Sequence, residues 1–176
     1  MGKKNITILS VSFNSSIHLK RLIKNFLLKT AQLDNIKFLI VDNTNGDDKA
    51  LYTAFEKSYD VRIIKNNNRY KQRSLSHANA LDIGMEHVDT KFTLIVDPDI
   101  HIFYKNWDEF CIKKMELNPR TVIGAPYPQW KLGKVHNYPS VVFMFFQTKL
   151  VQSLERTFYP FPKLYKRIYN SIIRKF

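Results

Sequence analysis

The sequence predicts an α/β domain built on a mostly parallel sheet with helices on both faces. Three observations predict it. Short apolar runs rich in β-branched residues recur at 6–13, 36–41, 61–64 and 92–96, the pattern of strands buried on both faces. Stretches of helical periodicity separate these runs, which argues for right-handed crossovers between parallel strands. Three of the runs end abruptly in polar residues: Asn14, Asp42-Asn43 and Asp97-Pro98-Asp99.

The first run, Ile6-Thr-Ile-Leu-Ser-Val-Ser-Phe13, is broken by Asn14-Ser15-Ser16, residues that can cap a helix. From Leu19 a helix follows, with Leu22, Ile23, Phe26 and Leu27 at helical spacing and Lys20, Arg21 and Lys24 elsewhere on the wheel. The second strand, Ile36–Val41, stops at Asp42-Asn-Thr-Asn-Gly-Asp-Asp48, a loop by composition. Residues 49–57 read as a short helix, and 61–64 as a third strand ending in Lys65-Asn-Asn-Asn68. A helix over 74–85 draws its apolar surface from Leu75, Ala78, Leu81 and Ile83, and leads to the strand at 92–96. Beyond it, 107–117 is helical and 121–125 a short strand. Pro126, Pro128, Gly133 and Pro139 then punctuate a loop before the apolar run 141–146. In the tail, Leu164, Tyr165, Ile168, Tyr169, Ile172, Ile173 and Phe176 share one helical face.

Composition narrows the class. A chain of 176 residues, 44% hydrophobic and 14% aromatic, is long enough for one well-packed domain. No apolar run is long enough to span a bilayer. Neither a signal-peptide pattern nor a myristoylation pattern opens the chain, so a cytoplasmic location is expected. The single cysteine, Cys111, excludes a disulfide framework and reads as a small buried helix residue. The formal charge of +13 is unevenly spread. Residues 1–30 carry six Lys/Arg and no acid, and residues 149–176 carry seven Lys/Arg against one Glu. Basic ends of this kind suit anionic substrates, an anionic membrane surface or nucleic acid.

The chemistry concentrates at Asp97 and Asp99. Open α/β sheets bind ligands at the carboxyl ends of their strands, where both emerge. Two hard oxygen donors there suit a divalent cation that bridges to phosphates. The same residues also read as a solvated Asp-Pro-Asp turn.

With three polar strand ends in line, the chain resembles the nucleotide-sugar-binding part of a family 2 glycosyltransferase of the GT-A fold. The matching segments are Ile8-Leu-Ser-Val-Ser-Phe13-Asn14, Phe38-Leu-Ile-Val-Asp42-Asn43, Asn68-Arg69-Tyr70, Ser76-His77-Ala-Asn79-Ala-Leu-Asp-Ile-Gly84 and Leu94-Ile-Val-Asp97-Pro98-Asp99. Their order and gaps agree across 5–125. The resemblance implies a Rossmann-like, GT-A type sheet, with residues 1–125 as the nucleotide-sugar-binding core. Residues 126–176 then form an acceptor-side region of the same domain, ending in a basic amphipathic helix.

It also implies roles. Val11, Ser12 and Phe13 edge the nucleobase, Phe13 otherwise being core. Asp42 hydrogen-bonds the base: a carboxylate can accept from N3–H of a pyrimidine or N1–H and N2–H of guanine, while adenine has no such imino donor. Otherwise Asp42 caps the following loop. Arg69 grips phosphate with its guanidinium fork, near Lys71 and Arg73. His77 and Asn79 lie near the pyrophosphate, with His77 in a structural role. Asp99 makes the direct contact with Mn²⁺ or Mg²⁺, and Asp97 sits beside it, nearer the ribose or sugar. His101 is either a further ligand or a surface residue. The implied donor is a nucleoside-diphosphate sugar of UDP, GDP or dTDP type, and the acceptor a saccharide or lipid-linked molecule.

One departure stands out. An inverting transferase needs a general base downstream of the paired aspartates. After residue 120 the chain has one acid, Glu155, which is therefore the candidate base, ahead of His136. Related catalytic domains also tend to be longer. The alternative is a degenerate or truncated GT-A domain that binds nucleotide, lacks catalysis and acts as a partner module. A haloacid-dehalogenase-like phosphatase fits poorly, since His101 breaks its motif and no acidic pair follows Glu109. Nucleic-acid binding has charge in its favour but no recognition motif. The tail at 163–176 has the pattern of a helix on an anionic membrane, which would make the protein peripheral there; packing on the domain is the competing reading.

Overall fold

The computed structural model describes residues 4–58, 60–67, 69–130 and 136–159. The amphipathic helix expected at 163–176 lies outside them, as does Asn68. At the centre runs β1 (Ile6–Ser12), buried along its whole length and paired in parallel with β2 (Ile36–Asp42) on one side and β4 (Phe92–Val96) on the other. A strand with neighbours on both edges and helices on both faces has no place for a solvated side chain, so Ile6, Ile8, Leu9 and Val11 are buried there and the small hydroxyl residues Thr7, Ser10 and Ser12 with them. Outside β2 lies β3 (Val61–Lys65), also parallel. Beyond β4 the direction changes. β6 (Pro139–Gln147) inserts antiparallel beside β4, and β5 (Ile123–Pro126) forms the edge, giving the order β3-β2-β1-β4-β6-β5.

The chain winds outwards from β1 to β3 and then crosses back to β4. Winding therefore reverses between β1 and β4, and a crevice opens at their carboxyl ends.

Each sheet face carries its own core. Against one pack α1 (Ser16–Lys29), α2 (Lys49–Phe55) and α4 (Trp107–Leu117), burying Ile6, Ile8, Phe38, Ile40 and Leu94 under Leu19, Leu22, Phe26, Trp107 and Met115. The Phe26 and Trp107 rings meet edge-on at 5.2 Å. Against the other face lie α3 (Arg73–Glu86) and α5 (Thr148–Gln152), over Leu9, Val11, Leu39, Val41 and Ile95. Cys111 is buried in the first core, and burial pushes its thiol up to about 12.

Local details depart from the sequence reading in instructive ways. Ser15 occupies the N-cap of α1, but its hydroxyl donates back to the Phe13 carbonyl (3.0 Å) instead of capping the helix. Leu27 stands at the margin of the buried stripe and is exposed. Helix α3 buries Ser76, Ala78, Ala80, Leu81, Gly84 and Met85, while Leu75 and Ile83 are half-buried. Small residues face the sheet because the helix sits close to it: a Cβ on Gly84 would lie 2.5 Å from Leu9 Cδ1.

The segment after β4 is fastened to α1. The Asn25 side chain donates to the Ile102 carbonyl (3.1 Å) and accepts from the Ile102 N–H (2.7 Å). The buried Asp108 carboxylate accepts the N–H groups of Ala31 (2.9 Å) and Gln32 (3.1 Å) just past the end of the helix.

Edge strand β5 depends on Gly124, where an added Cβ would stand 2.1 Å from the Phe143 carbonyl oxygen. No rotamer relieves a clash with backbone. Gly124→Val should therefore lower stability by about 1–3 kcal/mol, the usual cost of overpacking, read as a shifted urea midpoint. An unchanged midpoint would contradict the β5–β6 pairing.

Candidate active site

The crevice is built from strand ends. Parallel register sets Ser12 of β1 beside Asp42 of β2, and Asp42 beside Lys65 of β3. Across the reversal point, Asp97 follows directly on β4, its N–H bonded to the Val142 carbonyl of β6 (3.1 Å). Thus the loops after β1, β2, β3 and β4 leave the sheet at one edge.

Asp42 is fully buried, and its carboxylate is filled by the chain's own donors. Oδ1 accepts from the Thr44 N–H (2.9 Å) and hydroxyl (2.6 Å); Oδ2 accepts from the Gly46 N–H (3.1 Å) and the Tyr52 hydroxyl (2.7 Å). Asn45 and Gly46 take left-handed φ values of 61° and 91°, curling the loop back over the acid. Hydrogen bonds to a buried charged group contribute about 1.5–3 kcal/mol each, so this carboxylate fixes the path of 43–48.

That path turns Asn43 inward. Its side chain donates to Ser76 Oγ (2.6 Å), while Asn66 Nδ2 donates to Asn43 Oδ1 (2.8 Å) and Asn79 Oδ1 (3.2 Å). One buried polar lattice therefore joins the ends of β2 and β3 to the first half of α3. Asn66, Ser76 and Tyr52 were not singled out from sequence. The Asn run at 66–68 and the Ser-x-x-Asn spacing of 76–79 were visible, but nothing in a linear reading said that they meet.

On the other side, Asp97 is half-buried and Asp99 exposed. His77 Nε2 of α3 reaches to 3.8 Å from Asp97 Oδ1. Burial pushes the Asp97 carboxyl above its usual range; His77 opposes the shift and Asp99 adds to it. Burial lowers His77, against the pull of Asp97. Tyr127, just past β5, is raised by burial and by the charge of Asp97, and its carbonyl meets His136 Nδ1 at 3.0 Å. Burial and the neighbouring charge of Asp99 both disfavour the Asp97 carboxylate, and a divalent cation would relieve that, so these residues fit such an ion. Among the described residues no group of three or more His, Cys, Asp or Glu forms a cation cage. An ion here would thus need oxygens from a ligand as well.

The remaining residues fall as follows. Val11 and Ser12 are buried, and Ser12 Oγ has no hydrogen-bond partner among the described residues. Phe13 is 64% exposed at the strand end. Arg69 lines an open pocket of about 440 Å³ with Lys65, Asn66, Tyr70 and Asn79. His101 is exposed. Glu155 is not brought to this edge. Because β6 is antiparallel, its end (Gln147) pairs with the start of β4 (Phe92), and Gln152 then bonds the Met85 and Val88 carbonyls at the tail of α3. Glu155 follows in the next turn, exposed, at the amino end of the parallel strands.

Comparison with known proteins follows the fold. The profile described as glycosyl transferase family 2 matches residues 7–172. A mannosyltransferase from Pyrobaculum calidifontis, PcManGT, solved in complex with GDP-Man and Mn²⁺, superposes with a TM-score of 0.67 at 13% identity, over 88% of this chain and 47% of that one. S. aureus TarS 1-349 superposes with a TM-score of 0.63 at 13% identity, over 86% of this chain and 49% of that one. The same protein in complex with UDP-GlcNAc gives 0.63, 13%, 86% and 47%. The chain thus spans about half the length of the solved structures it resembles. Both neighbours share the GT-A fold of this sheet. A search of curated proteins gave no match.

The Asp42–Tyr52 contact generates a test. Burial and the bond to Asp42 push the Tyr52 hydroxyl from 10.0 up to about 12. The folded state thus favours the neutral phenol. Its contribution is whole below the unfolded value and is lost as pH rises through the folded one. Tyr52→Phe should cost about 1 kcal/mol near neutral pH, and its deficit in urea should shrink between about pH 9 and pH 12. A deficit that stays constant or grows over that range would sink the assignment.

Proposed function

The chain belongs to glycosyl transferase family 2, and from that premise we propose that it binds a nucleoside-diphosphate sugar in the β1–β4 crevice. The sugar is then transferred to a saccharide or lipid-linked acceptor. The observation that carries this reading is the emergence of Asp97 and Asp99 beside the end of β1, at the point where the sheet's winding reverses. The two neighbours whose complexes contain GDP-Man and UDP-GlcNAc support it.

In this reading Phe13, exposed at the rim, covers the nucleobase, with Val11 and Ser12 forming the floor beneath it. Asp42 acts through the loop it holds, since its acceptor positions are filled from within the chain. Arg69 supplies a guanidinium fork to the phosphates, and Asn79 shares its pocket wall. Asp99, with Asp97 beside it, would hold Mn²⁺ or Mg²⁺, and such an ion neutralises charge on a departing nucleoside diphosphate. His77 Nε2 stands 3.8 Å from the Asp97 carboxylate, on the α3 side of the site.

A second reading has an observation in its favour. Glu155, the one acid after residue 120, faces the far end of the sheet. With that candidate base away from the crevice, the domain would hold nucleotide and serve as a partner module. Incubation with UDP-, GDP- and dTDP-sugars separates the two: transfer or donor hydrolysis releases free nucleoside diphosphate, whereas a binding module releases none.

Calorimetric titration of UDP, GDP and dTDP, with and without Mn²⁺, tests the site itself. At least one should bind about tenfold more tightly or better with the ion, a gain of about 1.4 kcal/mol. Asp99→Ala should remove that gain, and Arg69→Ala should weaken binding whether or not the ion is present. Equal affinities with and without Mn²⁺, or an Asp99→Ala variant that keeps the gain, would overturn the assignment.

A further inference from the structure

A second surface of the molecule has a chemistry of its own. Residues 14–33 and 100–107 contain no carboxylate but five basic side chains, Lys20, Arg21, Lys24, Lys29 and Lys105. Helix α1 turns Leu19, Leu22, Ile23 and Phe26 into the core. That orientation leaves Ile17, Arg21, Lys24 and Leu28 in one outward row. Ile17 is 63% exposed and Leu28 69%, so apolar ends flank a basic middle.

The segment after Asp99 extends this row. Asn25 grips Ile102 through both backbone groups. Further along, the Asn106 N–H reaches the Lys29 carbonyl (2.7 Å) and Trp107 Nε1 reaches Thr30 Oγ1 (3.0 Å). Fastened at both ends along α1, the loop holds Phe103 outward at 89% exposure, with Tyr104 next to it. The Tyr104 ring leans on Phe110 at 5.3 Å, and Lys114 Nζ sits 5.8 Å from the Phe110 ring centre.

Single exposed apolar residues are ordinary. Here they are grouped, aromatic at the tip and rimmed by lysine and arginine, with exposed Glu109, 3.5 Å from Gln32 Nε2, at the margin. An aromatic tip enters the boundary between headgroups and acyl chains, while Lys and Arg stay among anionic headgroups. A nucleic acid would satisfy the cations but leave Ile17, Leu28 and Phe103 in water.

We propose that α1 and the 102–106 loop form a docking surface for an anionic lipid bilayer. The loop begins at Asp99, so the surface adjoins the crevice and would bring it to the membrane plane. The inference does not rest on the nucleotide reading, because vesicle binding requires no donor.

Co-sedimentation of the full chain with phosphatidylcholine vesicles, with and without phosphatidylglycerol, tests it. Wild type should bind the anionic vesicles, and less so in high salt. Each basic group near such a surface contributes about 1 kcal/mol, so Arg21→Glu with Lys24→Glu should weaken partitioning about 25-fold or more. Phe103→Ser should weaken it at unchanged melting temperature, because that residue is 89% exposed. Equal binding to neutral vesicles would overturn the proposal. So would loss of binding on Lys166→Glu with Arg167→Glu while the α1 and Phe103 variants bind normally. A self-associated state abolished by Phe103→Ser, or oligonucleotide binding with no vesicle binding, would assign the surface to another partner.

Discussion

The crevice depends on one buried carboxylate. Asp42 ends a central parallel strand with no access to water, and an acid in that position must find donors or be strongly destabilising. The loop that follows supplies them, at the cost of two left-handed residues, and α2 adds the Tyr52 hydroxyl. Once 43–48 is folded over the acid, Asn43 points into the molecule. It then meets Ser76 and Asn66, and through Asn66 the side chain of Asn79. That lattice sets the first half of α3, which carries His77 to Asp97. The position of His77 and of the Asn66–Asn79 wall of the pocket at Arg69 therefore traces back to a residue that is itself sealed from solvent.

Much of this frame was legible in the sequence, because parallel strands buried on both faces leave an apolar signature broken only at their ends. The runs read at 6–13, 36–41, 61–64 and 92–96 correspond to β1, β2, β3 and β4, with ends that differ by at most one residue, and the helix read over 107–117 is α4. What the linear pattern hid was mostly contact. Asp42 could be read as a ligand group or as a loop cap, and the geometry fills its lone pairs from within. The α3 face was read from its largest apolar residues, yet close packing on Leu9 favours Ala80 and Gly84, whose value lies in their lack of bulk.

The least legible feature was direction. The run at 141–146 was legible as apolar, but not as a strand inserted antiparallel beside β4, ahead of β5 in the sheet. That reversal carries the chain away from the crevice, and Glu155 goes with it. Elimination by residue type had singled out Glu155; strand polarity separates it from the aspartates. The chain after Glu155 climbs back along α3, through the Phe158 N–H bonded to Asp82 (2.9 Å) and the Tyr159 ring against Tyr70 (5.7 Å). The polypeptide thus returns towards the pocket wall with aromatic and hydroxyl groups, not with an acid.

On the proposed reading, metal and nucleotide meet at the carboxyl edge between β1 and β4. Paramagnetic broadening by Mn²⁺ in the presence of a nucleoside diphosphate, read amide by amide in the NMR spectrum of the full chain, tests that claim most directly. Amides of Phe13, Asn14, His77, Asp97 and Asp99 to His101 should broaden first, while those of Gln152 to Arg156, at the opposite edge, should stay sharp. Broadening centred on Glu155, or spread evenly over the molecule with no focus at Asp97 and Asp99, would contradict it.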